Sequence, residues 1–312
     1  MTYRYDADLV DAAGNFGVFD LTDPRETRAK LLAASAGRPA PDTTGVEVTD
    51  LEIPGPEDNP LVPVRVYRPA EAGEDLPAVL NIHGGGFVIG RIEVDDETCL
   101  DIARRVRAVV VSVGYRLAPE HPYPAGVEDC YAALKWLAGT ARDLGVDAGR
   151  IAVHGISAGG GLAAAVALMA RDRGGPRIAF QYLDLPELDD RRDTLSMRRF
   201  TDTPGWNAPN AALSWRHYLG ERAGSEDVPV YAAPAREKDL TGLPPAYVTA
   251  LEYDPCRDEA VAYAEKLFAA GVPVETHVFS GAYHLAYLIP TARVSRRRAE
   301  ERVTVLRYAL HG

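Results

Sequence analysis

Six short apolar runs constrain the fold of this chain more than any other feature. They are AVLNIH at 78–83, AVVVSVG at 108–114, IAVHG at 151–155, IAFQYLDL at 178–185, AYVTAL at 246–251 and VETHVF at 274–279. Helical periodicity occupies 95–107, 126–143, 158–173 and 257–271 between them. Strands covered on both faces read as continuous apolar runs. Helices between such strands imply right-handed crossovers joining parallel neighbours. The expected class is therefore α/β, a mostly parallel central sheet flanked by helices. At 312 residues the chain can form one large α/β domain with an appendage, or two ordinary domains.

Two alternating segments, VEVTDLEI at 46–53 and VPVRVYRP at 62–69, precede this pattern and are joined by the turn-rich PGPEDNPL. They read as an antiparallel hairpin. Before them, LTDPRETRAKLLAASAG carries a helix with Asp23 as cap, Pro24 in the first turn and Gly37 as stop. Residues 186–225 break the β-α rhythm, with Trp206, Trp215, Met197 and Phe200 among several Pro and Gly and no strand. An insertion after a strand is a common place for a lid. The expected organisation is a cap segment over 1–45, a core over 46–185 and 226–312, and an inserted cap segment over 186–225. RRRAEER at 296–302 reads as the solvated face of a terminal helix.

The net charge of −11 argues against nucleic acid or an anionic membrane as partner. The longest apolar run, LAAAVALMA at 162–170, falls short of the roughly 20 residues that span a bilayer. Cys99, Cys130 and Cys256 lie far apart, which suggests a reducing compartment. The opening MTYRYDADLVDAAG has acids where a signal peptide needs an apolar stretch. A cytoplasmic protein is expected.

GISAGGG at 155–161 admits two chemistries. Gly159 to Ala164 satisfies G-x-G-x-x-A, with Asp184 about 20 residues on as a ribose-binding acid. In a dinucleotide site, however, the first glycine makes the turn directly after the strand. Here Ile156, Ser157 and Ala158 intervene. The other reading is G-x-S-x-G, a serine on a strained strand-to-helix turn with small residues two positions either side. That serine needs a histidine base oriented by a carboxylate, in the order Ser, acid, His.

His284, in SGAYHLAYL, follows the strand VETHVF in a loop where a base must stand; His277 is inside that strand, His217 in the inserted segment and His311 next to the end. Asp254 follows AYVTAL and precedes Pro255, which holds it extended. Glu252 and Asp258 are the fallbacks, Glu252 nearer the strand body and Asp258 suited to capping the next helix. NIHGGGFVIG at 81–90 offers consecutive unblocked N–H groups, so Gly85 and Gly86, with Ala158, are the candidate oxyanion donors and His83 holds the loop.

HGGGF at 83–87, YRLAPEHPYPAG at 115–126, GISAGGG, EYDPCRDE at 252–259 and His284 together resemble the hormone-sensitive-lipase-like esterases, over roughly residues 45–310. The resemblance implies an α/β-hydrolase core, a cap built from both helical segments, and carboxylester hydrolysis by Ser157, Asp254 and His284 without metal or organic cofactor. It also implies pairing into a homodimer. Three positions depart from the family pattern: Ile156 where Asp is common, Cys256 where Leu is usual, and Leu285-Ala286 where Gly-Phe commonly follows the histidine. The pocket for a small-molecule ester is expected to involve Phe87, Ile156, Met197, Trp206, Trp215 and Leu285. A serine carboxylesterase acting on small to medium acyl esters is the leading expectation. An amidase or acyltransferase using the same residues, or a catalytically silent binding protein, stands behind it.

Overall fold

The structure is a computed structural model that describes residues 3–37, 39–57, 60–71 and 73–312. Its centre is one sheet of strands β1 (Val46–Ile53), β2 (Val62–Pro69), β3 (Leu76–Ile82), β4 (Val109–Val113), β5 (Val146–Ile156), β6 (Phe180–Asp184), β7 (Ala246–Tyr253) and β8 (Val274–Tyr283). The spatial order is β1-β2-β4-β3-β5-β6-β7-β8. β2 runs antiparallel to β1 and β4, and every other pairing is parallel. The hairpin pairs Val46 with Pro69 and Ile53 with Val62, as the alternation anticipates. Asp58 and Asn59 of its turn, like Met1 and Thr2 of the opening stretch, lie outside the described residues.

Helices α1 (Val10–Asn15) and α2 (Pro24–Ser35) precede the sheet, and α3 (Asp96–Val106), α4 (Ala125–Gly139) and α5 (Ala158–Asp172) alternate with its central strands. α6 (Leu195–Arg199) and α7 (Ala208–Leu219) follow β6, and α8 (Arg257–Ala269) and α9 (Arg293–His311) complete the chain. Successive strand residues point to opposite faces, and two cores result. Leu80, Val111, Val153, Leu183 and Val248 pack with α4, α5 and α8. Val79, Val110, Ala152, Tyr182 and Tyr247 pack with α3 and α9. β3 and β4 are buried along their whole length, which accounts for their uninterrupted apolar sequence.

Asp23 caps α2 by accepting from the N–H groups of Arg25 and Glu26, and Gly37 lies two residues beyond the last helical residue with φ +90°. The 186–225 segment contains α6 and α7 and no strand. It ties to the N-terminal segment through Asn210 Nδ2, which donates to Phe19 O at 2.8 Å, and through His217 Nε2, 2.8 Å from Leu21 O.

Two local expectations require correction. RRRAEER is only in part a solvated face: Arg296, Arg297 and Glu300 are exposed, whereas Arg298 and Arg302, one turn apart on α9, turn inward and are buried. Arg298 meets Asp184 at 3.1 Å and Arg302 meets Asp101 at 3.4 Å. Each cation is tolerated there because a carboxylate waits on another element. Asp258 does not precede α8 as a cap but is its second residue, and its carboxylate accepts from Ser196 N of α6 at 2.7 Å.

Candidate active site

The site lies at the carboxyl ends of β3, β5, β6, β7 and β8, where an open α/β sheet presents its loops. β5 ends at Ile156 and α5 starts at Ala158, leaving Ser157 alone at the turn with φ 58° and ψ −121°. Such a conformation costs a non-glycine residue about 1–3 kcal/mol and persists only where its surroundings enforce it. Ser157 N donates to Asp184 O at 2.8 Å, while Ser157 O accepts from the N–H groups of Glu187 and Gly161 at 3.0 Å each. The turn also needs glycines: a Cβ on Gly155 would lie 2.0 Å from Gly159 O, and one on Gly159 would lie 2.0 Å from Ile82 O.

These contacts decide between the two readings of GISAGGG. The strand leads into serine, and Gly159, Gly160 and Gly161 sit in the first turn of α5 against the backbones of Ile82, Pro186 and Glu187. Asp184, the candidate ribose ligand, is buried and accepts from Thr249 Oγ1 at 2.5 Å and from Arg298 at 3.1 Å.

β8 delivers His284 directly after Tyr283. Its Nε2 is 2.8 Å from Ser157 Oγ, and its Nδ1 is 2.6 Å from Asp254 Oδ2. This geometry lets Nδ1 donate the ring proton to Asp254 while Nε2 turns its lone pair to the serine hydroxyl. The other oxygen of Asp254 accepts from Cys256 N at 2.8 Å. Ser157, His284 and Asp254 are 4%, 1% and 0% exposed, so the chain of three lies in a low-dielectric setting that strengthens each bond. Of the fallback acids, Glu252 accepts from Gly281 N and Asp258 from Ser196 N.

Asp254, Cys256 and His284 also bring one metal-donor atom each within 4.8 Å of one another. Both carboxylate oxygens and the imidazole Nδ1 are committed to hydrogen bonds, and burial pushes the Cys256 thiol well above its ordinary range. The cluster is thus organised as a hydrogen-bond chain. Cys256 joins this hydrogen-bond chain through its main-chain N–H, which any residue but proline would supply.

In the glycine loop after β3, an amide N–H points opposite to the carbonyl of the same peptide plane. Those carbonyls are occupied: Gly84 O is 2.8 Å from His83 Nδ1, Gly85 O accepts from the amides of Val88 and Ile89, and Gly86 O accepts from Ser214 Oγ at 2.9 Å. The N–H groups of Gly85, Gly86 and Ala158 donate to no group among the described residues. Gly85 and Gly86 have φ values of +125° and +56°, which only glycine adopts freely. His83 stacks on Tyr115, whose hydroxyl donates to His83 O at 3.0 Å, and burial lowers its pKa to about 4. It is therefore neutral at physiological pH and supports the loop.

The residues expected to line a pocket divide into groups. Trp206 stacks on His284 at 5.7 Å and lies against Gly86. Leu285 abuts Gly205, where a Cβ would come within 2.2 Å of Leu285 Cδ1. Ile156 borders Gly84. Phe87 stacks on Tyr218 at 4.1 Å with Trp215 beside it, and Trp215 is wholly buried. Met197 is buried on α6, which packs against α8. The extra bulk of Leu285 is thus matched by Gly205, a pairing that no local pattern signals. Sequence reading also missed Glu187 and Ser214. The one available signal was an acid just past an apolar strand, at the edge where an α/β sheet presents its loops.

A family model for the alpha/beta hydrolase fold matches residues 79–288. The chain is similar to the esterase LipI of Mycobacterium tuberculosis, with 42% identity over 86% of this chain and 83% of that one. It is similar to the carboxylesterase NlhH of the same organism, with 41% identity over 80% of this chain and 79% of that one. Among solved structures, a bacterial heroin esterase superposes with a TM-score of 0.94 at 46% identity, over 98% of each chain.

Proposed function

The chain belongs to the α/β-hydrolase-fold family, among the hormone-sensitive-lipase-like esterases, and from that premise we propose that it hydrolyses small to medium acyl esters through an acyl-enzyme on Ser157. Carboxylic ester hydrolysis is the activity class of the family, and the residue roles and substrate range are our reading. Ser157 Oγ attacks the ester carbonyl as His284 Nε2 takes its proton. Asp254 holds the imidazole in the required tautomer and stabilises the imidazolium that forms. The developing oxyanion is met by the amides of Gly85, Gly86 and Ala158. Collapse expels the alkoxide, which leaves with the proton from His284. A water deprotonated by the same ring then attacks the acyl carbonyl, and the second collapse releases the acid and restores Ser157.

The observation that carries this reading is the continuous chain from Ser157 Oγ to His284 at 2.8 Å and from His284 to Asp254 at 2.6 Å. Ser157→Ala is expected to lower kcat about 10⁶-fold, measured on an activated acetyl ester. Ester hydrolysis retained by that variant would remove the assignment. The same chain speaks against a silent binding protein, since a ligand receptor has no need of a hydrogen-bonded base on a strained serine.

Ser157 is 4% exposed, and Trp206 of the inserted segment covers His284 and Gly86 beside it. We therefore treat 186–225, with the N-terminal segment it is tied to, as the cap. Homodimer formation follows from the family resemblance and is tested by sedimentation velocity. Cytoplasmic residence rests on the three unpaired, buried cysteines.

A further inference from the structure

Glu187, three residues beyond the end of β6, is wholly buried and plays no part in the proton chain just described. Its main-chain N–H donates to Ser157 O at 3.0 Å. Its Oε1 is 3.1 Å from Ser214 Oγ on α7, and Ser214 Oγ is 2.9 Å from Gly86 O. Its second oxygen, Oε2, has no partner among the described residues. We infer that Glu187 is a positioning residue that locks the two halves of the site together, its backbone holding the strained nucleophile and its side chain, through Ser214, holding the oxyanion loop. The inference rests on the assignment of Ser157 as nucleophile.

Hydrogen counting gives the direction of the chain. Gly86 O can only accept, so the single Ser214 hydroxyl proton lies toward it. The lone pair of Ser214 Oγ then faces Glu187 Oε1, which must carry the carboxyl proton to complete the second bond. Were Glu187 ionised, it would attract the Ser214 proton and leave Gly86 O without a donor. Burial pushes the Glu187 carboxyl up to about 8, with the nearby Asp254 adding to the shift and the Ser214 bond opposing it. The other titratable groups facing it are Cys256 after β7, Glu259 on α8 and Tyr115 after β4, all of them acids. Asp254 itself is bonded to His284.

The bond to Gly86 O matters because of the residue that follows. Phe87 has φ 61°, a left-handed value that a bulky side chain resists. Reversal of the 86–87 peptide would change that φ by about 180° and return Phe87 to the ordinary negative region. It would also exchange the positions of the Gly86 carbonyl and the Phe87 N–H. The loop therefore stores a tendency to flip, and the Ser214 hydroxyl opposes it. Gly86 is closed in from the same side, since a Cβ there would lie 2.4 Å from Trp206 and 3.0 Å from Ser214 Oγ.

The test compares Glu187→Met, Glu187→Gln, Ser214→Ala and Ser157→Ala by kcat and KM on one activated acetyl ester between pH 6 and pH 10, with thermal melts alongside. Glu187→Met and Ser214→Ala are expected to lower kcat about tenfold or more while KM changes less than about threefold. Glu187→Gln, which keeps a donor facing Ser214, is expected to restore most of the turnover lost in Glu187→Met. It should also remove a fall in wild-type kcat above about pH 8. Wild-type kcat and an unchanged alkaline limb in Glu187→Met would overturn the inference. Should that variant fail to give a cooperative melt, Ser214→Ala decides by the same measure. If Ser157→Ala is inactive while the other variants behave as wild type, this inference falls and the nucleophile assignment stands. If Ser157→Ala remains active, the reading beneath it falls.

Discussion

Ser157 is held at φ 58° by three main-chain hydrogen bonds, and its hydroxyl is turned toward His284. The residue most sensitive to a conservative change is Asp254. Asp254→Asn keeps the size of the side chain, but its amide can donate to Nδ1, which then ceases to carry the proton and reverses the imidazole tautomer. The expected loss in kcat is about 10⁴-fold at neutral pH, by analogy with the same change in a serine protease, and stopped-flow release of an activated leaving group measures it. Full activity in Asp254→Asn would mean that the acid has no orienting role. The candidate serine, histidine and glycine loop were legible from sequence because each directly follows an apolar strand and G-x-S-x-G demands partners in a fixed order. For the acid, Asp254 was separated from Glu252 and Asp258 by Pro255, by the place of Glu252 nearer the strand body and by the suitability of Asp258 as a cap, and in the structure Asp254 is the one of the three bonded to His284. Glu187 and the Leu285–Gly205 contact were not legible, since each is defined by a residue from another element.

At the scale of elements, alternation and apolar runs forecast the hairpin and the strands because side-chain period reports which faces are covered. Charge-rich segments misled, because composition cannot say whether a carboxylate waits opposite. Arg298 shows the consequence. Its partner Asp184 is 1% exposed and its backbone oxygen accepts from Ser157 N, so the ion pair adjoins the Ser157 turn. Arg298→Leu leaves Asp184 with Thr249 alone and is expected to destabilise the protein by about 3–5 kcal/mol, as breaking a buried pair does. Chemical denaturation measures this, and an unchanged midpoint would contradict it. The inserted segment yields a different expectation. Trp206 covers both His284 and Gly86, so Trp206→Ala should raise kcat/KM for bulky acyl esters relative to acetyl esters. An acyl-chain series in both proteins reads the ratio, and an unchanged ratio would place the size limit elsewhere.

Across the whole molecule, buried titratable groups pull stability in opposite directions with pH. Burial lowers His83 to about 4 and His154 to about 3, so both bind a proton on unfolding. Their contribution is present above about 6.5 and is lost as pH falls through the acid range. Glu187 acts in the reverse sense. Its folded pKa of about 8 exceeds the ordinary 4.5, so the stability its protonated form contributes is fully present below about 4.5 and is lost as pH rises toward 8. The melting temperature of Glu187→Gln should therefore rise relative to wild type as pH increases from 5 to 8.5, and a constant difference would show that Glu187 does not titrate there. Such couplings are absent from any one-dimensional pattern, because they depend on which groups the sheet buries together. The proposed hydrolysis requires a covalent acyl group residing on Ser157. Intact-mass spectrometry of enzyme quenched during turnover of an activated acetyl ester, followed by peptide mapping, tests this directly. One acetyl group per chain on the peptide containing Ser157, absent from Ser157→Ala, is the predicted result; an equal adduct in the Ser157→Ala protein, or one mapped to another residue, would contradict it.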